Sequence, residues 1–198
     1  MGKTVRKWIC LVLSAVLVFS FAAAAAGGTD GEQEDPEALY MLGVMYFKGE
    51  DVEQSYEKAA ECFLRAAEMG SVKAVHSMAF MYRYGLGVEQ DFEKAREYYL
   101  LSAAEGSNSN AQRELGNLYF YGAGVEQSYE KAMEYYLQAA DMGNYEAPYL
   151  IGRMYEYGMG VELSFDEAAK YYRLATDRGD PRGPESLERL EQKGLPGE

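Results

Sequence analysis

The chain of 198 residues is poor in the residues that usually carry chemistry, with one histidine, two cysteines, one tryptophan and five prolines. Trp8 and Cys10 fall within the first 26 residues, so the remainder holds no tryptophan, one cysteine, Cys62, and one histidine, His76. A single cysteine closes no intramolecular disulfide, so a fold that works in an oxidising compartment must rest on packing. One histidine and one cysteine are too few for a zinc centre unless carboxylates complete it. The acidic stretch "DGEQED" lacks the ligand spacing of an EF-hand. The glycines of "YGLGV" follow no strand and carry no P-loop lysine. No catalytic residue, metal ligand or cofactor is assigned, and the chain reads as a non-enzyme.

Basic residues are also scarce, with 19 Lys and Arg against 32 Asp and Glu and a net charge of −13. Lys3, Arg6 and Lys7 lie in the first 26 residues, which contain no acid, so removing that segment lowers the charge from −13 to −16. Such a balance excludes sequence-independent nucleic-acid binding, which needs a basic face. It equally disfavours docking on anionic lipid. The acidity either maintains solubility through self-repulsion or meets a basic partner.

The first 26 residues have the order of an export signal. A positive start leads into the apolar "WICLVLSAVLVFSF" and then the small-residue run "AAAAA", where a peptidase would cut between Ala22 and Gly28. The rival is an uncleaved anchor, since Trp8 to Ala26 is about long enough to span a bilayer. Cys10 has no small-residue box before it, so a lipoprotein is not expected. In either case the positive start stays behind and the rest is exported. The destination is then a secreted, periplasmic or secretory-lumen chain, or a membrane-anchored one if the signal is retained.

What the chain has in abundance is tyrosine, 18 copies, and self-similarity. "YGLGVEQDFEKAREYY" begins at Tyr84 and "YGAGVEQSYEKAMEYY" at Tyr121, with weaker copies from Lys48 and Tyr157. Val52, Val88, Val125 and Val161 are spaced by 36, 37 and 36 residues, and the columns of Ala38, Tyr46 and Gly70 stay in phase with them. A period in the thirties signals stacked helix pairs. In the first half of each copy, apolar residues recur at i, i+3 and i+7, as in Leu39, Leu42 and Tyr46. Gly43, Gly116 and Gly152 sit inside that helix. The second copy has Ala79 there, so the column requires smallness for a close neighbour rather than a special backbone. Two glycines turn the chain, and Asp51 replaces the second in copy one, which predicts the least regular turn there. Ser55, Asp91, Ser128 and Ser164 are N-caps for the second helices. Those helices bury a stripe such as Ala59, Cys62, Phe63 and Ala66, and glycines 70, 106, 143 and 179 close them.

These motifs, small-x-x-LG-x-x-Y, then YG-x-GV, then K-A and YY before a closing glycine, resemble the Sel-one-like repeat (SLR) family, relatives of the tetratricopeptide repeats. The resemblance implies an all-α, right-handed α-solenoid of antiparallel helix pairs, whose first helices line a concave surface. The expected organisation is a signal peptide at 1–26, an acidic flexible leader at 27–35 and four repeats at about 36–71, 72–107, 108–144 and 145–180. A capping helix and tail follow at 181–198, with Leu187 and Leu190 on the apolar side of the helix. Cysteine-rich SLR proteins that resemble β-lactamases pair cysteines within each repeat. That hydrolase alternative is disfavoured because the pairs are absent.

On the first helices a second stripe runs beside the core stripe. It supplies the candidate partner-binding residues Tyr40, Phe47, His76, Phe80, Arg83, Arg113, Asn117, Phe120, Tyr149 and Arg153. Spacings of four and three keep the residues of each copy on one helical face. Aromatic anchors and guanidiniums are the residue types enriched at binding hot spots. Arg113 and Arg153 are expected to be exposed and available to a carboxylate-bearing protein or peptide. The family resemblance implies an adaptor or scaffold role, and the charged end predicts a monomer.

Overall fold

The computed structural model describes residues 35–106 and 108–192. The segments expected to be an export signal and an acidic leader, as far as residue 34, and the tail from Lys193 lie outside the described residues. Nine helices and no strand occur among the described residues. They are α1 (Pro36–Lys48), α2 (Tyr56–Glu68), α3 (Val72–Tyr84), α4 (Phe92–Gly106), α5 (Ser109–Tyr121), α6 (Tyr129–Asp141), α7 (Ala147–Tyr157), α8 (Phe165–Asp177) and α9 (Arg182–Gln192). Each repeat is one odd and one even helix packed side by side, and successive pairs stack only on their neighbours. This is an α-solenoid.

The even helices begin where a short polar side chain can take up an orphan backbone donor. Ser55, Ser128 and Ser164 accept from the amides of Lys58, Lys131 and Glu167 at 3.3, 3.2 and 3.3 Å, and Asp91 accepts from Lys94 at 2.9 Å. Helices α1, α3, α5 and α7 end on a left-handed glycine. Their last carbonyls are then taken by a glutamine seven residues on: Gln54, Gln90 and Gln127 donate to Phe47, Arg83 and Phe120 at 2.8, 2.8 and 2.7 Å. In the fourth repeat this position is Leu163, which has no donor to offer and stands exposed.

The turn of the first repeat is not irregular. Asp51 adopts the left-handed conformation itself, φ 61°, and the amide of Ser55 still donates to Tyr46 as its equivalents do in every repeat. An Asp tolerates that region better than most residues. The reason glycine stands there in the other copies is spatial: Cβ atoms on Gly124 and Gly160 would lie 2.5 and 2.6 Å from the Cβ of Phe92 and Tyr129, at the start of the preceding repeat's second helix. Asp51 has no such helix before it among the described residues.

The small column within the odd helices also has a definite occupant. The rings of Phe63, Tyr136 and Tyr172 lie against Gly43, Gly116 and Gly152, with 2.5–2.7 Å between the nearest ring carbon and a built Cβ. The nearest neighbour is an aromatic ring of the same repeat's second helix, and at Gly116 and Gly152 the backbone carbonyls of Ala132 and Ala168 follow at 3.2 Å. Ala59, Ala66, Ala132, Ala139, Ala168 and Ala175 alternate with those rings and are fully buried. Each buried side chain of ring size contributes about 1.5–3 kcal/mol of transfer free energy.

The adjacent column, Cys62, Tyr98, Tyr135 and Tyr171, belongs to the outer edge of the core and is half-buried. Tyr98, Tyr135 and Tyr171 stack on Tyr82, Tyr119 and Tyr155 at 5.5–5.7 Å between centroids. The amines of Lys58, Lys94 and Lys131 cover Tyr46, Tyr82 and Tyr119 at 5.1–5.3 Å, a cation–π position. Burial pushes the Cys62 thiol up, away from the reactive thiolate.

The capping helix is longer than its apolar pattern suggests and is half of a fifth repeat. Gly183, Pro184 and Leu190 follow Ala147, Pro148 and Met154 at the repeat spacing, and Asp180 accepts from the Arg182 amide at 2.9 Å as Asn144 does from Glu146 at 3.1 Å. Leu190 closes the apolar face of α8 with Tyr172 and Ala168.

Candidate partner-binding face

All ten candidate residues are half-buried, but for three different reasons. Tyr40, His76 and Tyr149 lean back on their own repeat. Their rings lie 5.7, 5.4 and 5.8 Å from Phe63, Tyr99 and Tyr172. Burial, with Arg113 nearby, lowers the pKa of His76 and keeps the imidazole neutral.

The arginines behave differently from expectation. The side chains of Arg83 and Arg113 are only 15 % and 17 % exposed, and both pair with Glu114, Arg113 at 2.8 Å. Arg113 also reaches Glu146 at 3.6 Å, and Glu146 is 3.5 Å from Arg182, which holds Asp180 at 2.6 Å. In α7, Glu156 accepts from Tyr172 at 2.6 Å and pairs with Arg189 of α9 at 2.7 Å. Ion pairs thus join neighbouring units from the second repeat to the capping helix, with the cation on the earlier repeat at Arg83 and Arg113 and on the capping helix at Arg182 and Arg189. The periodic arginines read from the sequence as ligand donors are largely the mortar between repeats. Arg153 is the exception. Among the described residues it is the cation of this face with no carboxylate partner.

The aromatic part of the stripe does come together, with a column at its edge. Phe47 and Phe80 meet across repeats at 6.0 Å, Phe80 contacts Tyr84 at 4.5 Å, and Phe120 contacts Tyr121 at 5.0 Å. Tyr84, Tyr121 and Tyr157 end the first helices of three successive repeats and are 48 %, 65 % and 48 % exposed. Between α5 and α7, Phe120, Tyr121, Tyr136, Leu150 and Arg153 line a shallow depression. Leu150 and Tyr136 were not read as part of the face. Tyr136 is buried in the core, as its spacing implies, and its hydroxyl donates to Asn117 of the stripe at 2.8 Å.

The profile of the Sel1 repeat matches residues 36–71, 72–107, 109–144 and 146–180. The chain belongs to the Sel1 repeat family. Among solved structures it is similar to a Sel1 repeat protein from Oxalobacter formigenes, with TM-score 0.75 and 29 % identity, over 81 % of this chain and 65 % of that one. It is also similar to c5321, a protective antigen present in uropathogenic Escherichia coli strains displaying an SLR fold, with TM-score 0.74 and 34 % identity, over 81 % of this chain and 34 % of that one. The chain therefore spans less than two thirds of the length of either. Helicobacter pylori cysteine rich protein B shares the fold at TM-score 0.50 and 23 % identity, over 69 % of this chain and 97 % of that one. A comparison with curated proteins returns no match. The Sel1 solenoid is a helical scaffold of the kind that binds proteins, and Sel1 repeat proteins are generally non-catalytic. Among the described residues no cluster of three His, Cys, Asp or Glu could hold a metal, and no helix is long and apolar enough to cross a membrane.

Proposed function

We propose that this Sel1 repeat chain is an exported, non-catalytic scaffold that holds a protein or peptide partner on the concave face formed by its first helices. The observation that carries this reading is the register of Tyr84, Tyr121 and Tyr157, exposed at one position of successive repeats and backed by Phe80 and Phe120. Tyrosine supplies large contact area with a polar tip at low entropic cost, which suits the anchor of an interface. Arg153, beside Tyr121 and Leu150, gives the face one uncommitted guanidinium, so the favoured partner carries a carboxylate, either a side chain or a chain terminus. Export follows from the charged, apolar and small-residue order of residues 1–26.

A photo-crosslinking residue placed at Tyr121 tests this reading, with one at Lys131 on the second-helix side as reference. The expected result is a discrete crosslinked partner from the exported compartment at position 121 and none at 131. The reverse pattern would move the binding face to the second helices.

A further inference from the structure

The two ends of the solenoid differ. At the C-terminal end α9 covers the last pair, with Leu190 buried inward and Glu185, Glu188 and Glu191 outward. At the other end α1 buries only Gly43, whereas α3 buries Ala74, Val75, Met78, Ala79 and Met81. The positions that the preceding repeat covers elsewhere lie open here. Leu42 is 37 % exposed where Met78, Leu115 and Ile151 are 0–1 %, and Met41 is 52 % exposed. Ala38 is likewise exposed, and its equivalents Ala74, Ala111 and Ala147 are at 0 %. With half-buried Met45, these residues form one apolar stripe along α1.

We propose that this stripe docks against the same stripe of a second copy, forming a closed two-fold dimer. Residues 27–34, "GGTDGEQE", offer no aliphatic or aromatic side chain to cover it. A further repeat, or the tail end of another copy, cannot dock there as repeats dock on each other. In that geometry the second turn position presses on the start of the preceding second helix, where Gly87, Gly124 and Gly160 leave no room for a side chain. Asp51 puts a carboxylate at that corner. The capped C-terminal end closes the head-to-tail route from the other side. What remains is pairing of like with like, the commonest symmetry of oligomers.

The charges fit that pairing. Glu37 and Lys48 are both exposed and lie about three turns apart on the same edge of the stripe. In an antiparallel two-fold pair each Glu37 falls beside the Lys48 of the second copy. The helix dipoles then also oppose one another favourably. In the isolated chain Glu37 holds Lys73 at 2.7 Å and Lys48 holds Glu50 at 3.4 Å, exposed pairs that exchange at little cost. One helix face is a small interface, at the low end of specific ones, so the dimer is weak and concentration-dependent. It replaces the monomer suggested by the charged end, and it does not use the tyrosine column.

Sedimentation equilibrium of the exported protein over a wide concentration range tests the proposal, alongside Leu42→Lys, Met41→Lys and Lys48→Glu. The expected result is a mass rising towards twice that of the chain in the wild type. The first two variants should stay monomeric with unchanged helicity, and Lys48→Glu should dimerise more weakly. A wild type monomeric at every concentration overturns it, as does a dimer that the lysine variants leave intact. Growth beyond two copies would contradict the closed geometry. A monomer whose Met41 is shielded from oxidation, through a retained leader or an unlike protein on α1, also overturns it.

Discussion

Gly87 presses so closely on the Tyr56 carbonyl that no side chain fits between them. The contact ties the turn of the second repeat to the second helix of the first, and Gly87 also holds a left-handed conformation, φ 66°. Gly87→Ala is therefore expected to destabilise by more than the roughly 1–3 kcal/mol of a strained backbone residue alone. Asp51→Gly at the equivalent place should change stability by less than about 1 kcal/mol. Urea melts of both variants check the pair; equal losses would mean that the turn conformation, and not repeat stacking, selects the glycine.

Leu115 is buried at the junction of the second and third repeats, in a cluster with Ala79, Ala95 and Tyr99, and lies in the column of Met78 and Ile151. Leu115→Ala should lose about 2–5 kcal/mol through a cavity that rigid neighbours cannot fill. The same change at Leu42, in the same column but open to solvent, should cost well under half as much. Chemical denaturation of the two variants gives the ratio.

Arg113 and Arg153 share a stripe in the sequence but not a role. Arg113→Glu sets a new carboxylate against Glu114 and within reach of Glu146, so the variant should melt lower and lose its link to the fourth repeat. Arg153→Glu breaks no ion pair among the described residues, so its melting temperature should stay near that of the parent. Differential scanning calorimetry distinguishes them.

His76 is half-buried and neutral, its pKa held below the ordinary value of 6.5 by burial and then by Arg113. In the unfolded chain it takes a proton at that ordinary value, so the unfolded state binds more protons in the window just below it. Stability should consequently fall as pH drops below about 6.5, until the folded-state pKa is reached. Melts of the parent and His76→Gln across this range are the check: the substitution should flatten the slope.

The repeat, its period and its helix boundaries were legible because they are written several times over. Columns such as Val52, Val88, Val125 and Val161 make local noise cancel. The face was legible only in part. A stripe on a helical wheel shows which residues share a side, but it does not reveal that Glu114 sits between Arg83 and Arg113. That pairing depends on the distance between helices of different repeats. Nor does the stripe show that Tyr40, His76 and Tyr149 lean on rings of their own repeat's second helix. Asp180 and Arg182 carry a signal that could have been used, since "GDPRGP" continues the repeat's helix-starting pattern once more.

The central claim is that the exposed tyrosine column with Arg153 is the surface that binds. Quantitative capture of the partner from the exported compartment by the parent and by Tyr121→Ala with Arg153→Glu measures it most directly, both proteins being matched for helicity and melting temperature. The account expects capture by the folded double variant to fall at least about tenfold, the weight of one well-placed anchor and one charge pair, and expects capture by the parent to weaken with salt. Undiminished capture by the double variant would contradict it.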